Sequence, residues 1–159
     1  MRLIVILSVI LLASCSTKSA LEKSSYQEGK VCSEMIGTWF TDVTVNNITD
    51  GRKRDITRLE RKADGSAYLK GISVYYKTNE VVDWEFPSKW SCDGDWYVES
   101  NEWGSTFFKI VSLGETKNTL FDQKNNLNAP APIEIIETKT IDMNDKLIRN
   151  PAVSKFLGL

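Results

Sequence analysis

Apolar and polar residues alternate most strictly from Val81 to Cys92. There Val82, Trp84, Phe86, Trp90 and Cys92 share one parity, and Asp83, Glu85, Pro87, Lys89 and Ser91 the other. A period of two places one set on a dry face and the other in water, the pattern of a half-buried strand. Pro87 falls on the wet side and has no N–H for a ladder, so it marks a bulge or an edge. Further runs rich in β-branched and aromatic residues lie at Thr38 to Val45, Asp55 to Ala63, Ser66 to Tyr76, Asp95 to Asn101, Thr106 to Leu113, Asn118 to Gln123 and Ile133 to Ile141. Eight short strands punctuated by turn residues predict an all-β fold.

The connections add a topology. Asp64-Gly65, Asp93-Gly94 and Gly114-Glu115 supply the positive-φ residues of tight hairpins, so sequence neighbours should pair antiparallel. Asn46 to Arg54 and Lys124 to Pro132 are longer. Counting strand directions alternately puts both long connections at one end and the three Gly turns at the other. An eight-stranded antiparallel up-and-down barrel with an open and a closed end fits that arrangement. The tail, Met143 to Leu159, carries Leu147, Ile148, Val153, Phe156 and Leu157. It is compatible with a short helix broken near Pro151, an irregular packing segment or partial disorder.

The amino-terminal apolar stretch, Leu3 to Ala13, follows a single basic residue, Arg2, and is shorter than the roughly 20 residues that span a bilayer. It ends in Leu12-Ala13-Ser14-Cys15, which resembles the lipobox of bacterial lipoprotein signal peptides. The resemblance implies that residues 1–14 are removed and that Cys15 becomes a lipidated terminus bearing palmitate-type acyl chains. Stable anchoring takes two or more such chains. Ser16 follows the Cys where Asp would argue for inner-membrane retention, which implies an outer-membrane anchor facing the periplasm. Residues 15–30 are polar and aperiodic, as a flexible tether would be, leaving 31–159 as the folded domain.

Removing the signal leaves 145 of 159 residues, enough for one domain, with 19 basic against 21 acidic side chains. Nothing in that balance suggests nucleic acid. The locally basic stretch Gly51 to Lys62 is interrupted by Asp55 and Glu60 and is expected to be a solvated face. There is no histidine, which removes the commonest general base and metal ligand. In an oxidising periplasm the remaining pair, Cys32 and Cys92, suggests a disulfide rather than metal ligands or a nucleophile. The barrel topology brings both cysteines to the closed end, with Cys92 on the apolar parity of its strand. Asp83 and Glu85 share a solvent face and make a poor acid–base pair. Asp93-Gly94-Asp95 offers too few oxygens for calcium and is better suited to a turn. No metal, cofactor or catalytic constellation is expected.

Ile36-Gly37-Thr38-Trp39 resembles the Gly-x-Trp signature of lipocalins and bacterial lipocalin-like domains. Ala63-Asp64-Gly65-Ser66-Ala67-Tyr68 and Trp90-Ser91-Cys92-Asp93-Gly94-Asp95-Trp96 resemble further segments of the bacterial group. The Thr-Asp-Tyr type motif of the main lipocalin group is replaced by Leu113-Gly114-Glu115-Thr116, and Arg149 stands as the candidate for the late arginine that packs over the signature Trp. The resemblance implies a lipocalin-like barrel more firmly than an activity.

Trp84, Phe86 and Trp90, with Trp39, Tyr76, Trp96 and Phe108 as companions and Trp103 at the open end, are the candidate ligand-binding residues. They could equally fill the interior, because an eight-stranded barrel is just wide enough for side chains or one small ligand. The expected function is therefore a non-enzymatic, membrane-anchored periplasmic protein that binds a small hydrophobic or amphipathic molecule. The alternative is a solid barrel whose open-end loops hold an envelope protein, as an inhibitor or assembly accessory.

Overall fold

Inward and outward residues alternate most clearly along the β-rich run that holds Trp84 and Trp90, and the strands of the chain close on themselves. The computed structural model describes residues 32–123, 127 and 129–159. The lipobox-like stretch with Cys15 and the expected tether lie outside them, as do residues 124–126 and 128 of the last long connection. The strands are β1 (Gly37–Asn47), β2 (Gly51–Arg61), β3 (Ser66–Tyr75), β4 (Glu80–Asp93), β5 (Trp96–Asn101), β6 (Gly104–Ser112), β7 (Lys117–Phe121) and β8 (Glu134–Thr138). Each pairs antiparallel with its sequence neighbours, and β8 pairs back onto β1. The result is the eight-stranded up-and-down barrel of a lipocalin-like fold.

The closed end is built as the topology requires. A 3₁₀ turn, Ser33–Met35, plugs it: Met35 is fully buried, and its carbonyl accepts from Trp39 Nε1 at 2.9 Å. Cys32 and Cys92 are joined with their Cα atoms 5.8 Å apart, stapling the plug to β4, and Cys92 points into the core. Trp90 Nε1 donates to the carbonyls of Lys62 and Ser66, which fixes the β2–β3 turn. Gly65 and Gly94 take the positive φ expected of their hairpins; Gly114 does not.

Four expectations are corrected. The connection after β1 is only Ile48–Asp50, because Asn47 Oδ1 accepts from the amides of Thr49 and Asp50 and Gly51 adopts φ 78°. Arg52, Lys53 and Arg54 consequently lie on β2 rather than in a loop. Arg61, expected on a solvated face, is on the inward parity of β2 and only 2% exposed. The cation over the signature Trp39 is not Arg149, which is exposed, but Lys139, whose Nζ lies 3.7 Å from the ring centroid and donates to the Ile36 carbonyl. Pro151 starts a helix, α1 (Pro151–Leu157), instead of breaking one. Its missing N–H is one that a first helical residue leaves unpaired anyway, and the Asn150 side chain caps the Ala152 amide.

α1 and the segment before it cover the outer face of β2 and β3. Ile56 and Ile72, paired across those strands and pointing away from the barrel, form a second small core with Ile148, Val153 and Leu157. Arg54 ties this segment down by bridging Asp42 on β1 and Asp145. Pro87 pairs with Tyr68 on β3, while the β4–β5 register begins only at Lys89. It therefore sits at an edge, where its lost donor costs nothing. β4 extends past the short β5–β6 hairpin, so the barrel rim is lowest there.

Candidate functional site

The barrel is hollow. A cavity of about 200 Å³ lies between the closed-end plug and the loops, walled by Leu59, Leu69, Trp84, Phe108, Leu120 and Ile135. Thr41, Thr57 and Thr106 line the same wall. Leu127 hangs over it from the β7–β8 connection, its carbonyl accepting from Asn47 Nδ2 and its amide donating to Asp122.

Room for the cavity depends on Gly71. It stands opposite Trp84 across the β3–β4 ladder, and a Cβ there would lie 2.0 Å from the indole. The ring occupies the space that a side chain at position 71 would fill, and its Nε1 donates to Ser73 Oγ at 3.1 Å. Gly71→Ala should push the ring off its seat and destabilise the fold by about 1–3 kcal/mol, the usual cost of overpacking. Chemical denaturation together with near-UV circular dichroism of the indole would measure both effects.

Of the aromatic residues singled out from the sequence, Trp84 and Phe108 line the cavity. Phe86 stacks on Trp84 at 5.5 Å, and Trp103 meets Phe86 edge-on at 5.2 Å while remaining 70% exposed. Trp90 is buried in the closed end. Tyr76 is on the outer rim, under the Arg52 guanidinium. The sequence thus placed an aromatic ladder along β4, but most of it supports the wall rather than facing the space.

The cavity floor is polar, which the sequence reading missed. Arg61 Nη1 donates to Glu137 Oε2 at 2.9 Å while its Nη2 donates to Glu137 Oε1, a bidentate pair whose side chains are 0% and 2% exposed. Arg61 Nε reaches Tyr97 Oη at 3.3 Å, and its guanidinium lies 4.5 Å from the Tyr97 ring centroid. Asn118 Nδ2 donates to Glu137 at 3.1 Å, and the Tyr97 hydroxyl donates to Glu99 Oε2 at 2.7 Å. Burial pushes the Tyr97 phenol well above its ordinary range, which keeps it a donor. Near the mouth, Asp55 accepts from Ser73 Oγ at 2.6 Å and pairs with Lys53 at 3.0 Å.

Three carboxylates therefore face the cavity. Asp55 is paired with Lys53 and Glu137 with Arg61. Among the described residues no cation forms an ion pair with Glu99. Burial raises its pKa, against the lowering effects of the Tyr97 hydroxyl and the Arg61 charge. A carboxyl with a raised folded-state pKa holds its proton in the native state longer than in the unfolded one. Its contribution to stability is thus fully present below the unfolded pKa and lost as pH rises through the folded one. Parity was the signal available for these residues: Arg61 follows Thr57 and Leu59 inward, Glu137 follows Ile135, and Glu99 follows Tyr97.

No family model matches the chain, and neither a curated protein nor a solved structure proves similar to it. What the site can do is therefore argued from its geometry. Among the described residues no cluster of three or more Cys, Asp or Glu side chains is placed to hold a metal ion.

Proposed function

We propose that this protein is a lipid-anchored receptacle for one small amphipathic molecule, working without chemistry on its ligand. The cavity carries this reading: apolar walls over a polar floor, the layout of a small-molecule site. Its 200 Å³ is below the roughly 300–1,000 Å³ of drug-sized pockets and above the ~150 Å³ engineered cavity that admits benzene. A ligand of roughly eight non-hydrogen atoms follows from that comparison. The lipobox-like context of Cys15, followed by Ser16, supports an anchor on the periplasmic face of the outer membrane. Native mass spectrometry of the protein, gently purified from its own envelope, tests the reading. A co-purifying molecule of that size is expected; a bare protein that also takes up no small amphiphile would contradict it.

A second reading has its own observation. Ile48, Tyr76 and Trp103 sit at three open-end hairpins and are 66%, 43% and 70% exposed, which favours a surface that meets an envelope protein. The hollow interior supports the first reading over a solid interaction barrel, and the rim would then be where a ligand is delivered or handed on.

A further inference from the structure

The charge inventory of the cavity points to the chemistry of the ligand, given the receptacle reading above. Of its three carboxyl groups, two are neutralised by cations of the barrel itself: Lys53 for Asp55 and Arg61 for Glu137. Arg61 is turned to Glu137, which takes one N–H from each terminal nitrogen, while Nε is directed at Tyr97, and it forms no ion pair with Glu99. Glu99 is 8% exposed, lines the cavity and receives the Tyr97 hydroxyl. Lys139, the other cation near the floor, is committed to the Trp39 ring and the Ile36 carbonyl.

We infer that the ligand is a small apolar amine, entering head-first so that its ammonium pairs with Glu99 at the floor while its hydrocarbon part lies between Leu69, Trp84 and Phe108. An ammonium would supply the one positive charge that the floor lacks. Burial of both partners makes such a charge-assisted contact stronger than a neutral hydrogen bond. A carboxylate ligand would instead add a third negative charge beside Glu99 and Glu137, with only Arg61 to offset them. The raised pKa of Glu99 agrees with this account, since burial without a counter-ion disfavours its charged form.

Calorimetric titration of the full-length protein with hexylammonium, 1-hexanol and hexanoate tests the inference at fixed chain length. Hexylammonium should bind at least about tenfold more tightly than hexanol, and hexanoate more weakly than either. Glu99→Gln keeps the shape and removes the charge. It should cost hexylammonium at least about tenfold in affinity and leave hexanol within about threefold, a readout that a merely structural role would not separate. Equal affinities for the three probes, or an unchanged hexylammonium affinity in E99Q, would overturn the inference and leave the receptacle reading standing. Failure of all three probes to bind would overturn both.

Discussion

Arg61→Ala should lower the stability of the fold by about 3–5 kcal/mol, among the largest effects of any single substitution in this barrel. The reason lies in what stays behind. Glu137 is 1% exposed and would lose both arms of its bidentate partner, keeping only the amide of Asn118. Tyr97 would lose the guanidinium that lies against its ring. A carboxyl left unpaired in that position must either hold its charge without a counter-ion or take up a proton, and both are costly. The double variant Arg61→Met with Glu137→Leu removes both charges at once. It should recover most of the loss, since a buried pair often does no better than well-packed apolar residues of similar volume. Thermal unfolding reads the difference: the single variant should melt at least ~10 °C below the parent and the double variant much closer to it. Equal losses in both would mean that packing, not charge, is what the pair supplies.

Reduction of Cys32–Cys92, or Cys92→Ser, should cost on the order of 4 kcal/mol in the chain-entropy account, because the bridge closes a loop of 60 residues. The loss should be expressed unevenly. The 3₁₀ plug is held to the barrel by this bond, by the Trp39 indole on the Met35 carbonyl and by the burial of Met35 itself. Without the bond, the plug's amides should exchange faster with solvent than those of β2 and β3, whose ladder of nine paired positions is untouched. Hydrogen exchange with and without reductant checks this. Uniform acceleration across the barrel would show instead that the bridge acts on the whole fold.

The β-strands were legible because a strand with one dry face writes its period into the sequence. All eight appear close to where alternation and Gly turns put them, and the two cysteines meet at the closed end. Errors arose where a local device overrode composition. Asn47 and Gly51 compress a polar stretch into a tight turn, and Asn150 makes Pro151 a helix start. The floor was harder to see, because a charged residue on an inward parity looks like a surface residue until its partner is known. Arg61 and Glu137 are 76 residues apart and meet only once β8 has closed the barrel. Trp84 was found by its parity. Phe86 and Trp90 share that parity, but Phe86 packs between Trp84 and the rim residue Trp103, and Trp90 is buried in the closed end.

The claim that the ligand sits inside the barrel is tested most directly by filling it. Thr57 lines the cavity at mid-wall and makes no ion pair, and Thr57→Phe would project a ring into the 200 Å³ space. Affinity for a small amphiphile such as hexylammonium, measured by calorimetry on parent and variant, should fall by at least about tenfold while the melting temperature stays within about 5 °C of the parent. A filled variant that binds as tightly as the parent would place the ligand elsewhere and contradict the account.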